Sequence, residues 1–294
     1  MIVADVSVTI KYFEEFITEI LNFNDALPHK FISYRGQSDV NYNIIPAIGR
    51  NRASSVSISI LDQERNLVEM AKNKLPSIFN KELTPINLLA LLQHYGIPTR
   101  LLDITSNPLV SLYFATLDDT TDGEVIVFEH EDSVINYPAI NAIAESYKFA
   151  HMTNTPLEYF FGSAIHQKYF DEQRYELKEE TDLSGGRWIA SCCNELIMVS
   201  AQEQIERQRR QQGLYILFPN KIIREENPYF ENIIEEIPKT HKQIKKRILI
   251  PQDLKQGIRN KLKILGISKS TLFYDNIDTI CQEIVEQATS NLSY

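Results

Sequence analysis

Arg35 is the side chain best suited to hold a charged ligand. It stands in Tyr34-Arg35-Gly36-Gln37, after the short apolar run Phe31-Ile32-Ser33. A guanidinium fork grips phosphate through two parallel bonds, and a neighbouring glycine lets a ligand approach the backbone. The competing use of Arg35 is internal, as the partner of a carboxylate such as Asp103. A second polar string holds Thr99, Arg100, Asp103, Thr105, Ser106 and Asn107 between two apolar segments. Polar groups packed between buried elements need hydrogen-bond partners. Arg100 and Asp103 can satisfy one another, and Asn107 stands where a helix cap is needed. The string is therefore either a buried bracket orienting two helices or part of a site with Arg35.

His94 follows Gln93 on the last turn of a helix, where the dipole favours an imidazolium. It can bond the helix end or contact a base. Glu195 leads the apolar run Leu196-Ile197-Met198, as a strand-edge carboxylate or as a catalytic one. Cys192-Cys193 could host a nucleophile, but no histidine adjoins them in sequence. With Cys281 the chain has three cysteines, too few for a disulfide framework, and no C-x-x-C pair or zinc spacing suggests a metal. Gly-x-Gly-x-x-Gly, the P-loop, His-Glu-x-x-His and Gly-x-Ser-x-Gly are absent from the sequence, which argues against the familiar dinucleotide, kinase, zincin and hydrolase schemes.

These residues need positioning elements. Val8, Ile10, Phe13, Phe16, Ile17, Ile20 and Leu21 recur at helical spacing and predict an amphipathic helix over 7–24. Phe31, Ile32 and Tyr34 predict a short strand ending at Arg35-Gly36. Residues 60–80 are again helical in pattern. Thr84-Pro85 starts a helix through Asn-Leu-Leu-Ala-Leu-Leu-Gln-His-Tyr that stops at Gly96, and Asn107-Pro108 starts another. Residues 123–130 predict a strand, and the runs around Ile197 and Tyr215 predict two more. The tail predicts helices near 240–247, 252–264 and 276–289.

The fold class expected is α+β, a small mixed sheet flanked by helices with a helical C-terminal part. One domain over 1–294 is preferred to two, with 131–190 as a variable insertion and 235–294 as the helical C-terminal region. The chain has 294 residues, 43% hydrophobic, enough for a large core. Its formal charge of -9, from 39 acidic and 30 basic residues, gives no global pull on nucleic acid. Local basic clusters at 206–210 and 241–247 read as solvated helix faces or as a phosphate groove. No secretory signal opens the sequence, and no apolar run nears the roughly 18 residues a membrane helix requires. The expectation is a cytoplasmic protein with no membrane partner.

The segment from Gln93 to Ala115, Gln-His-Tyr-Gly-Ile-Pro-Thr-Arg-Leu-Leu-Asp-Ile-Thr-Ser-Asn-Pro-Leu-Val-Ser-Leu-Tyr-Phe-Ala, closely resembles the signature of the FRG-domain family. That family is named for an aromatic-Arg-Gly triplet, here Tyr34-Arg35-Gly36. Pro46 with Arg50, the strand at 123–128, Gln212-Gly213 and the ending at 266–273 extend the resemblance over about residues 30 to 290.

The order of Arg35, then Thr105-Ser106, then a helix ending Tyr-Phe-Ala also resembles ADP-ribosyltransferases of the Arg-Ser-Glu type. That resemblance implies NAD as ligand, with Arg35 on its pyrophosphate and Thr105 or Ser106 bracing the nicotinamide pocket. It implies Arg35, Ser106 and Glu195 as catalytic residues. Tyr34, Gly36, Gln37, His94, Arg100, Thr105 and Gln212 would join Arg35 in contacting the cofactor. Neither Asn194-Glu195-Leu196-Ile197 nor Gln212-Gly213 carries the Glu-x-Glu or Gln-x-Glu motif of that class. Two functions follow. One is an NAD-dependent effector of bacterial toxin or phage-defence type, acting on a protein or nucleic-acid acceptor, with the 206–210 cluster near the site. The other is a non-catalytic module recognising a nucleotide-like small molecule or nucleic acid.

Overall fold

Gly123-Glu-Val-Ile-Val-Phe-Glu-His130 is apolar on both sides of its pleat, so a strand there must be covered on both faces. In the computed structural model it is. Val125 and Val127 face one cluster of buried side chains, and Ile126 and Phe128 face another. The structure describes residues 7–26, 30–50, 59–79, 83–130, 138–149, 152, 154–165, 185–201 and 206–273.

The strands in chain order are β1 (Ser7–Thr9), β2 (Phe31–Gln37), β3 (Leu101–Thr105), β4 (Gly123–His130), β5 (Asn154–Pro156), β6 (Ile197–Val199), β7 (Gly213–Leu217), β8 (Lys221–Ile223), β9 (Tyr229–Glu231) and β10 (Ile244–Ile250). Seven of them form one mixed sheet in the order β1-β10-β4-β2-β3-β7-β6, and β5-β9-β8 form a small second sheet. Within the large sheet β1 runs parallel to β10 and the other neighbours are antiparallel.

Helices α1 (Phe13–Ala26), α2 (Glu64–Lys74), α3 (Pro76–Phe79), α4 (Pro85–His94) and α5 (Pro108–Ala115) precede β4. After it come α6 (Pro138–Ala144), α7 (Leu157–Ile165), α8 (Gly185–Cys192), α9 (Glu206–Arg210), α10 (Lys255–Ile264) and α11 (Lys269–Leu272). One face of the sheet carries two separate helical layers. α1, α5 and α10 cover β10, β4 and β2 through Phe16, Leu112 and Leu262. α2–α4 and α6–α8 cover β3, β7 and β6 through residues such as Leu89, Ile143 and Phe160. The opposite face is sealed by Ile44, Ile48, Leu61, Ile234 and Ile237.

The two helix starts read from the sequence are built as expected. Thr84 Oγ1 accepts from the Asn87 N–H, and Asn107 Oδ1 accepts from the Leu109 and Val110 N–H groups, each cap preceding a proline in the first turn. Gly96 follows α4 at φ +81°, the left-handed geometry of a helix C-terminus.

Three expectations need correction. The helix predicted over 7–24 is a strand, β1, followed by α1; Val8 belongs to an edge pairing with Ile248, not to the helix. The helix predicted near 240–247 is a turn followed by the first half of β10, and the described residues after it include α10 and α11. Ile244, Ile248 and Ile250 are buried, and the charges between them are met at a distance. Lys246 pairs with Glu19, and the Arg247 Nε donates to the fully buried Glu124 at 2.8 Å. β2 continues through Gln37, which places Arg35 inside a strand and not at its end. The helix expected at 276–289 lies outside the described residues. Of the segment 131–190, the described part supplies three helices whose Ile140, Leu157 and Ile189 are buried in the core over β6 and β7.

Candidate ligand-binding cleft

The interval between the two helical layers lies above the junction of β2 and β3. These strands share a single ladder pair, Tyr34 with Thr105, whereas β2 runs seven pairs along β4. Where they part, a cavity of about 280 Å³ opens. Tyr34–Gly36 and Asp103–Thr105 form its floor; His94 from α4, Phe114 from α5, Arg207 from α9 and Tyr215 from β7 form its walls.

Arg35 reaches into this opening. Its Nη1 donates to the Asp103 backbone oxygen at 2.6 Å, while its Nε is buried with no hydrogen-bond partner among the described residues. Burial, opposed by Asp103 and reinforced by the nearby Arg50 charge, pulls its pKa down to about 10. That is still high enough to keep the guanidinium charged near neutrality. Gln208 lines the same cavity, and its buried Oε1 is likewise without a partner. An orphan donor and an orphan acceptor thus stand in one cleft, where buried polar atoms are otherwise nearly always satisfied.

The other walls are held firmly. The Tyr34 hydroxyl accepts from Asn24 Nδ2 at 2.9 Å, and burial raises its pKa. The Arg207 guanidinium lies 4.4 Å over the Phe273 ring, which sets its direction. Burial foremost, then the charge of Asp103, raises the Tyr215 pKa, with Arg207 opposing, so the phenol stays protonated. The Asp103 side chain is exposed at the cavity wall.

Gly36 has a different role from the one its sequence context suggests. A Cβ there would lie 1.8 Å from the Ser111 carbonyl oxygen, so the glycine is required for α5 to lie directly on β2. Close approach of a helix, not of a ligand, explains it.

Of the residues singled out from the sequence, Tyr34, Arg35, Gly36, His94 and Thr105 line the cleft. Thr105 is already engaged, donating to the Gln211 carbonyl at 2.6 Å and accepting from the Asn107 N–H at 3.0 Å. Gln37 lines an adjoining cavity. Ser106 and Gln212 face each other outside the lining, with 3.5 Å between Oγ and Oε1, and Gln212 holds a left-handed φ of +46°.

Two residues lie elsewhere. Arg100 is 1% exposed and does not pair with Asp103. Its Nε donates to Glu64 Oε1 at 2.9 Å, Nη2 also binds Glu64, and Nη1 reaches the Phe218 carbonyl and Asn220 Oδ1. Glu195 pairs with Lys242 and lines a separate cavity of about 320 Å³ with His241. Burial drives the Cys192 thiol up to about 11 and the Cys193 thiol higher still, so neither is an activated nucleophile.

Sequence reasoning passed over Gln208, and weighed Asp103 only within the polar string or as a partner of Arg35 or Arg100. Asp103 was visible in the polar string, but its exposure depends on the parting of two strands. Nothing local distinguishes Gln208. The 206–210 cluster does come to the site, through Arg207 and Gln208; Arg209 and Arg210 are exposed and pair with Glu206. Gln204-Ile205-Glu206 carries Gln-x-Glu spacing. Glu206 is exposed and opens α9, one residue from Arg207, while Gln204 lies outside the described residues.

The fold and cleft define a mixed α/β protein with a basic, polar pocket between two helical layers. Residues 30–124 match the family model described as FRG domain, so the chain carries an FRG domain there. The matched span includes β2, α4, β3 and α5, and hence Arg35, His94 and Asp103 of the cleft; Arg207, Gln208 and Tyr215 come from beyond it. No curated protein and no solved structure matches the chain. Among the described residues no helix is long and apolar enough to cross a membrane, and no three His, Cys, Asp or Glu side chains cluster as metal ligands.

Proposed function

We propose that the cleft at Arg35 binds a nucleotide-like anionic ligand, NAD, and that the chain cleaves it or transfers its ADP-ribose as a cytoplasmic effector of toxin or phage-defence type. The observation that carries this reading is the polar equipment of the cleft. A charged guanidinium with a spare donor, Arg207 and an unpartnered amide oxygen surround a cavity with an aromatic wall. Such a set suits phosphate, ribose hydroxyls and a planar base together.

In this reading Arg35 takes the pyrophosphate, as the ADP-ribosyltransferase resemblance implies. The bond between ribose C1′ and the nicotinamide nitrogen breaks, and nicotinamide leaves with the electron pair. An acceptor nucleophile, either water or a group on protein or nucleic acid, bonds to C1′ and gives up its proton. A carboxylate stabilises the oxocarbenium-like transition state. Asp103 at the wall is the first candidate and Glu206 at the rim the second. Thr105 keeps the β3–α5 corner in shape, and Ser106 with Gln212 flanks the entrance. Glu195 plays no part in the chemistry.

A non-catalytic nucleotide-recognition module is the second reading, favoured by the exposure of Asp103, since carboxylates that stabilise charge in a transition state work best out of water. Nicotinamide release from labelled NAD, measured with and without cell lysate, separates the two. Release that disappears in Asp103→Asn or Glu206→Gln and persists in Glu195→Gln supports the enzyme. NAD binding with no release under any condition leaves only the recognition module.

A further inference from the structure

A second cavity, of about 840 Å³, adjoins the first along the end of β2. Arg35, Gly36 and Phe114 line both, so the Arg35 guanidinium is a shared wall. Arg50 lines the second cavity, and its side chain forms no ion pair among the described residues. The Arg35 charge is offset by Asp103, which lines the first cavity and not the second, so Arg35 and Arg50 line the second cavity together with Glu236 as its one carboxylate among the described residues. An exposed apolar lip lies beyond them. Tyr42 and Leu117 line the cavity and are each about half exposed, flanked by Asn41 and Asn43. Aromatic face plus amide is the chemistry that recognises a purine, by stacking and by bonds to the base edge. Glu236 on the opposite rim offers acceptors for ribose hydroxyls.

We infer that the two cavities are the halves of one dinucleotide site, with the pyrophosphate bridging Arg35 and Arg50 and the adenosine half against Tyr42 in the larger cavity. This rests on the NAD reading of the cleft and deepens it, by assigning the adenosine half to the second cavity and a second phosphate contact to Arg50. The smaller cavity, beside Asp103 and Tyr215, then takes the nicotinamide ribose half. Arg50 is exposed, so replacing it leaves the core untouched.

The test is calorimetric titration of the wild-type chain, Arg50→Ala and Tyr42→Ala with NAD, AMP and nicotinamide mononucleotide. Loss of one charge-assisted phosphate contact should weaken NAD and AMP by about tenfold or more in Arg50→Ala. Tyr42→Ala should weaken the same two ligands. Nicotinamide mononucleotide should bind all three proteins within about twofold of one another. If NAD and nicotinamide mononucleotide bind the wild-type chain and neither variant weakens NAD, the second cavity is not part of the site and this inference fails alone. If the wild-type chain binds none of the three ligands, the nucleotide reading falls and takes the inference with it.

Discussion

Arg35 and Asp103 meet across the opening between β2 and β3: the guanidinium of one donates to the backbone oxygen of the other at 2.6 Å. Had the two strands continued to pair beyond Tyr34 and Thr105, backbone groups would occupy this space. The arginine does in part what a ladder bond would have done, and keeps a second nitrogen for something else. The site is thus a consequence of how the sheet is interrupted, and both residues lie in the segment matched as an FRG domain.

Gln208 should reveal the conflict between stability and binding. Among the described residues its buried oxygen has no partner, and its amide nitrogen makes only a long 3.5 Å contact to the Gly213 carbonyl. An unsatisfied buried group costs about 1–3 kcal/mol. Gln208→Met, similar in volume, should therefore leave the melting temperature unchanged or raise it while weakening nucleotide binding. A substantial fall in melting temperature would mean that the amide is structural.

Arg100 and Glu64 should behave in the opposite way. Both side chains are almost wholly buried and the pair is bidentate. Removing one partner strands a buried charge, which costs about 3–5 kcal/mol. Arg100→Met alone should be severely destabilising in urea unfolding, and Arg100→Met with Glu64→Leu much less so. Ligand affinity of any variant that folds should remain near wild type, because neither residue lines the cleft.

Gly36→Ala tests the contact between α5 and β2. The added methyl would sit 1.8 Å from the Ser111 oxygen and 2.8 Å from the Ala115 nitrogen, both backbone atoms that cannot step aside singly. Overpacking of this kind costs about 1–3 kcal/mol, and displacing a whole helix costs more. Thermal denaturation should show the loss. Wild-type stability with reduced ligand affinity would instead return Gly36 to the ligand-contact role.

His130 should make stability depend on acidity. Its Nε2 lies 2.7 Å from Ser33 Oγ, its Nδ1 has no partner among the described residues, and burial lowers its pKa from 6.5 to about 4. As pH falls below 6.5 the unfolded chain takes up this proton and the folded chain does not, so the stabilisation present above 6.5 is lost down to about pH 4. The full contribution is about 3 kcal/mol. Unfolding free energies measured across that range should fall with pH more steeply in the wild-type chain than in His130→Gln. Parallel curves would contradict the assignment.

How far the sequence could be read follows from how local each cause is. β4 declared itself because the apolar run Val125-Ile126-Val127-Phe128 follows a turn, and the α4 and α5 starts because cap and proline stand side by side. β10 resembled a charged helix because the partners of Lys246 and Arg247 are Glu19 and Glu124, more than a hundred residues away. Arg100 looked like a ligand residue for the same reason: Glu64, its true partner, lies 36 positions earlier, at the start of α2. Arg35, His94 and Tyr34 were legible as site residues through the family motif. The 206–210 cluster was placed near the site only as a group; which of its residues face the cleft was not legible, since the antiparallel pairing of β3 with β7 carries α9 there.

The central claim is that Arg35 is the anion grip of a nucleotide site. Titration of NAD into the wild-type chain and Arg35→Ala, with melting temperatures recorded for both, tests it most directly. Saturable binding to the wild type, weakened by tenfold or more in a variant that melts within a few degrees of it, is the result expected. Equal affinity in two equally folded proteins, or no binding to the wild type, would contradict it.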